Sequence, residues 1–295
     1  MTLEPLQLAP ATISGVLYAV RADHLRRTPR TAVPGWRQAC FYAGLVVIVG
    51  ALTLTGRLAE ELFAVHMVEH LVLADVGALL LVLGLTGPVL APVLRVRALG
   101  WLRGLAHPLV AMPLWALSLA AWHIPALHEA AVRDATVHAL QHLCFIAFGA
   151  NVWMALLGPL PKPAWFGNAA RLGYILGVRA IGAVLANVFV FGGSAFYAVY
   201  APGERRHGIS PASDQVTAGT VMMVWESVLT LCLFCWLFLR AGRETEERQA
   251  LLDLATSRGV ELTDERAARA VAAGRGDELR GRIEAAAARV PPDPA

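Results

Sequence analysis

Nine histidines occur in the 295 residues, and four of them form two pairs. His66 and His70 are spaced i, i+4, as are His138 and His142, so on helices each pair shares one face with its side chains about 6 Å apart. That is ligand spacing for one metal ion. Glu60 and Glu61 lie about a turn before the first pair and Asp134 a turn before the second, which predicts that all four imidazoles sit at similar depth. His123, within Trp122-His123-Ile124-Pro125, and the Asp214-Gln215 dipeptide mark the same end of other apolar segments, and Met222 and Met223 follow two turns deeper. Imidazole beside thioether suits copper, with Met67, Met222 and Met223 as soft sulfur for Cu(I). A single buried histidine, or a methionine in an apolar helix, is explained by packing. Two matched pairs at one depth point instead to a bound ion, with His66, His70, His138, His142, His123, Asp214, Met222 and Met223 as candidate ligands.

The same residues admit other chemistries. His66 to His70 spells H-x-x-E-H, an inverted zinc-peptidase pattern, but the second pair carries Gln141 where a base is needed and no third ligand motif follows. Haem held by one histidine from each of two facing helices is the alternative cofactor. A retinal Schiff base needs a lysine inside the membrane, and the only lysine, Lys162, falls in a loop. Asp75, Arg179 and Glu226 are the deep charges. Pairing of Arg179 with either acid is the architectural account; a proton or substrate path through a transporter is the functional one. Cys232 and Cys235 form C-x-x-C in apolar surroundings, where structural thiols are expected.

The elements that hold these residues follow from composition. Hydrophobic residues make up 57% of the chain and charged residues 16%, against about 25% charged in soluble domains. The last 55 residues, from Ala241, carry 20 of the 47 charged residues, so residues 1–240 read as a membrane domain and 241–295 as a charged, helical or partly disordered tail. A span needs about 20 apolar residues. Seven are predicted: Pro5 to Val20, Gln38 to Gly56, Leu62 to Gly84, Gly104 to Trp122, Thr136 to Gly158, Leu172 to Gly192 and Gln215 to Leu239. None alternates with period two, so the fold class is an all-α polytopic membrane helix bundle rather than a barrel. Counting Arg and Lys gives 13 on one set of loops with the start of the tail and 4 on the other. By the positive-inside rule the N-terminus faces out, the tail faces the cytoplasm, and the histidine pairs lie toward the outer surface. The net charge of +3 is dispersed between apolar segments, which argues against a nucleic-acid partner; the lipid bilayer is the expected one.

The run His66-Met67-Val68-Glu69-His70, the segment Gly84 to Pro88, Trp122-His123-Ile124-Pro125-Ala126-Leu127, His138-Ala139-Leu140-Gln141-His142-Leu143, and Asp214-Gln215 with Ala218-Gly219 and Met222 together resemble the multi-spanning CtaG family of cytochrome c oxidase assembly proteins. The similarity covers Pro5 to Arg240. It implies a multi-pass plasma-membrane protein of bacteria, without enzyme activity, needed for maturation of haem-copper oxidase and delivering copper to its catalytic subunit as a metallochaperone of the respiratory chain. The sequence departs from the family pattern at Glu69, where Gln is usual, at His128, where an aromatic is common, and at Trp225-Glu226, which replace a Pro or Gly region.

Overall fold

The computed structural model describes residues 5–28 and 31–288. Among these every regular element is helical. Eight helices frame the description: α1 Pro5–Arg26, α2 Gly35–Leu54, α3 Phe63–Gly84, α4 Pro108–Trp122, α5 Pro125–Arg133, α6 Ala135–Leu156, α7 Asn168–Phe191 and α8 Pro211–Ser257. Two compact units divide the chain, Met1–Thr230 and Leu231–Ala295.

Five helices, α2, α3, α6, α7 and α8, are long and apolar enough to cross a membrane. The pair α4 and α5 meets the same description jointly but bends by 72° between them. Of the seven spans expected, the first is thus a helix, α1, without being one of those five or the bent pair, and the fourth is short and broken. The break has a local cause. Pro125 supplies no backbone N–H to continue the ladder, and His123 ends α4 at φ −99°, ψ 0°.

Two helices are pulled tightly onto α3. A Cβ on Gly149 of α6 would lie 2.6 Å from the Ala74 carbonyl oxygen, and one on Gly44 of α2 would lie 2.9 Å from the Leu81 amide. Only glycine allows either approach. At that level α3 widens into a π segment, Val72–Gly77, and the Trp153 indole N–H donates to the Ala74 carbonyl at 3.0 Å. The close α3–α6 packing brings the two histidine pairs face to face.

In the second unit, Asp264–Ala272 and Gly276–Ala287 bury Val271, Leu279 and Ile283 together with Leu251 and Ala255 in a small apolar core.

Candidate metal centre

Both histidine pairs occupy the first two turns of their helices: His66 stands three residues past Phe63, where α3 begins, and His138 three past Ala135, where α6 begins. Each start is fixed by a carboxylate. Asp134 accepts from the Thr136 and Val137 amides at 2.8 and 3.0 Å. The start of α3 has no capping side chain of its own; Asp214, 151 residues from Phe63, accepts from the Phe63 and Ala64 amides at 2.6 and 3.0 Å. Negative charge at a helix N-terminus satisfies free N–H groups and opposes the helix dipole. A carboxylate thus binds the free amides at the start of each helix, one local and one from a distant segment.

The four rings form a closed cluster. Centroids lie 4.2 Å apart for His66–His70, 5.2 Å for His66–His138, 5.4 Å for His70–His142 and 4.1 Å for His138–His142. His66, His70 and His138 each place a ring nitrogen within 4.8 Å of the other two. An ion about 2.0–2.1 Å from each nitrogen would hold them about 3.4 Å apart in tetrahedral geometry, closer than the 4.8 Å limit within which they lie. His66 is fully buried and His70 and His142 nearly so.

Hydrogen bonds reveal which nitrogens are available. The His66 Nδ1 lies 3.3 Å from the Ala59 carbonyl; a carbonyl only accepts, so Nδ1 carries the proton and Nε2 keeps its lone pair. That Nε2 has no protein partner, nor does either nitrogen of His70 or His142, nor His138 Nε2. Two further groups share this condition. Both side-chain amide atoms of Gln141 are buried and unpartnered, as is one carboxylate oxygen of Glu69; the other lies 3.6 Å from His142 Nε2. Buried polar atoms without partners cost about 1–3 kcal/mol each, and native structures hold few of them. Their concentration at one place is what a site built for a ligand looks like without it.

His123 stands at the rim. Its Nδ1 donates to the Leu119 carbonyl at 2.7 Å, which again leaves Nε2 unprotonated, and that atom faces the Met67 sulfur at 3.5 Å. Nitrogen and thioether lone pairs thus meet.

His128 is the residue that the spacing argument missed. It is fully buried, and its ring is 4.9 Å from His66 and 6.1 Å from His123. Its Nε2 shares a hydrogen bond of 2.9 Å with the Tyr200 hydroxyl. Burial pushes the Tyr200 phenol well above its ordinary pKa, so this hydroxyl keeps its proton and can donate it to the bond. Only the 72° bend between α4 and α5 carries His128 back onto the cluster; its position in the sequence gives one weak signal, its nearness to Pro125.

Three other candidates have different surroundings. Asp214 spends both carboxylate oxygens on the α3 cap. Met222 is buried in an aromatic cluster with Phe63, Met67, Phe189, Tyr197 and Tyr200, and Met223 packs against the same cluster. Gln215 fastens the following segment, accepting from the Phe196 amide at 2.8 Å and donating to the Phe189 and Ser194 carbonyls. That segment closes over the rim: the Tyr197 hydroxyl donates to the His123 carbonyl at 2.8 Å and the Ala198 amide to Glu129 at 2.8 Å.

A family described as cytochrome c oxidase caa3 assembly factor matches residues 16–244. Comparison with curated proteins and with solved structures gives no match.

Proposed function

This chain belongs to the cytochrome c oxidase caa3 assembly factor family, and from that premise we propose that it holds copper in its buried histidine cluster and passes it to the oxidase catalytic subunit. Copper is cargo here, not a resident catalyst, so the protein needs no reaction chemistry of its own. The observation that carries the reading is the convergence of His66, His70 and His138 nitrogens within 4.8 Å in a core where those lone pairs have no protein partner.

The residues divide the work. Neutral imidazoles from His66, His70 and His138 ligate, with His142 and His128 beside them. The Ala59 and Leu119 carbonyls fix the tautomers of His66 and His123, a support that orients ligands before metal arrives. The Met67 sulfur next to His123 Nε2 offers a soft exit ligand, and the absence of thiolate from the set keeps the ion exchangeable. A haem fits less well, because its plane must lie between two axial imidazoles and these rings already touch. With the Arg and Lys asymmetry setting the N-terminus outside, the cluster lies toward the outer face of the bacterial plasma membrane. A donor there can meet a copper site buried within a neighbouring membrane subunit.

Protein purified from copper-supplemented cells should carry stoichiometric copper and show no Soret band. His66→Ala with His70→Ala should abolish the copper and leave the helical circular dichroism unchanged. Protonation competes with metal for the same lone pairs, so copper should be lost as pH falls through the imidazole range near ~6.5. Undiminished copper in the double variant would refute the assignment. For delivery, cells lacking the gene should, when copper is scarce, assemble oxidase with its haems but without copper at the catalytic site.

A further inference from the structure

The second compact unit holds a feature unrelated to the histidine cluster. Arg266, Arg269, Arg275 and Arg282 line one cavity of about 390 Å³, together with Ala270, Leu279 and one carboxylate, Glu278. The fold brings them together. Asp264–Ala272 turns its apolar side inward through Ala267 and Val271 and presents Arg266 and Arg269 outward; Gly276–Ala287 does the same with Leu279 and Ile283 inside and Arg282 outside. The turn between them passes through Gly274 at φ +66° and sets Arg275 at the mouth.

Residues 241–295 carry nine Arg against eleven acidic residues, so carboxylates are not scarce. Arg240 and Arg248 take theirs, Glu244 at 2.7 Å and Asp264 at 3.3 Å. Among the described residues none of the four cavity arginines joins an ion pair; Arg269 Nε only reaches the Glu265 carbonyl at 3.3 Å. Four like charges facing one cavity repel one another in an otherwise acidic unit, and a multivalent anion relieves that. Guanidinium forks match phosphate oxygens two at a time.

We propose that this cleft is a binding site for a phosphate-bearing anion, either an acidic phospholipid headgroup or a soluble phosphate compound. The headgroup is within reach. The last apolar run ends at Arg240, whose guanidinium lies 5.5 Å from the Trp236 ring centroid, a pairing typical of a membrane interface. Arg248, which anchors the start of the Arg266 helix through Asp264, follows eight residues later, ~12 Å along a helix.

The full-length protein tests this in two arms. In nanodiscs of phosphatidylcholine with and without phosphatidylglycerol, native mass spectrometry counts retained acidic lipid. In detergent, thermophoresis measures affinity for inorganic pyrophosphate. Arg269→Gln with Arg275→Gln and Arg282→Gln should weaken binding about tenfold or more, the loss of roughly one charge-assisted contact's worth of free energy or greater. Arg258→Gln with Arg280→Gln, outside the cleft, should leave it unchanged. Glu278→Gln removes the competing carboxylate and should tighten binding, which guards against a trivial loss by misfolding. Response in the lipid arm alone identifies a headgroup site, in the pyrophosphate arm alone a soluble ligand, and in both a site for the phosphate group itself. No binding in either arm, or equal loss in cleft and control variants, overturns the proposal.

Discussion

Two polar clusters lie within the membrane-spanning helices of the first unit, and they are built on opposite terms. Around Arg179 each group is provided for: Arg179 pairs with Glu226 and also donates to the Met223 carbonyl at 3.2 Å and the Ser227 hydroxyl at 2.9 Å, while the Trp225 indole donates to Asp75 at 2.9 Å. Around His70 the reverse holds: both nitrogens of His70 and of His142, both amide atoms of Gln141 and one carboxylate oxygen of Glu69 make no hydrogen bond. Polar groups in such helices are expensive whether paired or not. What separates the clusters is whether the protein itself supplies the partner.

Substitution should separate them most sharply. Arg179→Leu strands the partly buried Glu226 and should lower stability by up to about 3 kcal/mol, the lower end for breaking a fully buried pair, yet leave copper binding at full stoichiometry in whatever protein remains folded. His70→Leu should do the opposite, leaving thermal stability in detergent unchanged or higher, because it deletes two orphaned nitrogens, while copper is lost. If both variants lose stability alike, the contrast between the clusters fails.

A smaller effect tests how the histidine cluster is held. Gly149→Ala forces the α6 backbone away from Ala74 and should cost about 1–3 kcal/mol, the range for overpacking. It should also weaken copper binding, since the same approach brings His138 and His142 to His66 and His70. Reduced stability with intact copper affinity would uncouple that packing from the site.

The smallest effect lies outside both clusters. Glu61 accepts from Arg57 at 2.8 Å and bonds His207 at 2.8 Å, with Arg206 at 3.2 Å. The His207 and Arg57 contacts hold its carboxyl below the usual carboxylate range. A depressed folded-state pKa gives stability that is present above the unfolded value, about 4.3, and is lost as pH falls through the folded one. Glu61→Gln should therefore lower the unfolding temperature slightly at neutral pH, and the gap from the unaltered protein should close in acid. A gap that persists below pH ~3 would assign the loss to packing rather than charge.

Much of this was legible in the sequence. The i, i+4 pairs are local signals, and so is Asp134, which caps the helix of the second pair; Glu61, a turn before the first pair, instead binds Arg57 and His207. The five long apolar helices follow from composition in the same way. What escaped depended on distance or bending. Asp214 reads in sequence as a candidate ligand, and only the fold shows that it also caps the Phe63 and Ala64 N–H groups. His128 is invisible as a cluster member until α4 and α5 bend. Glu69 registered as a departure from a family pattern, yet its meaning, a buried carboxylate beside His142, is a tertiary fact. The sequence left Arg179 a choice of two acids; the structure gives it Glu226.

The π segment of α3 leaves one more consequence. Widening the helix at Val72–Gly77 accommodates an extra residue within an otherwise regular helix, and each residue turns the helix by about 100°. The N-terminal half, bearing His66 and His70, and the C-terminal half, bearing Ala78 to Gly84, therefore follow two angular frames. A single periodicity drawn from Phe63 to Gly84 misassigns the facing of one half. An alignment gap of one residue in this stretch among relatives would be a change of phase, rotating one half of the helix against the other without altering a single residue of either face.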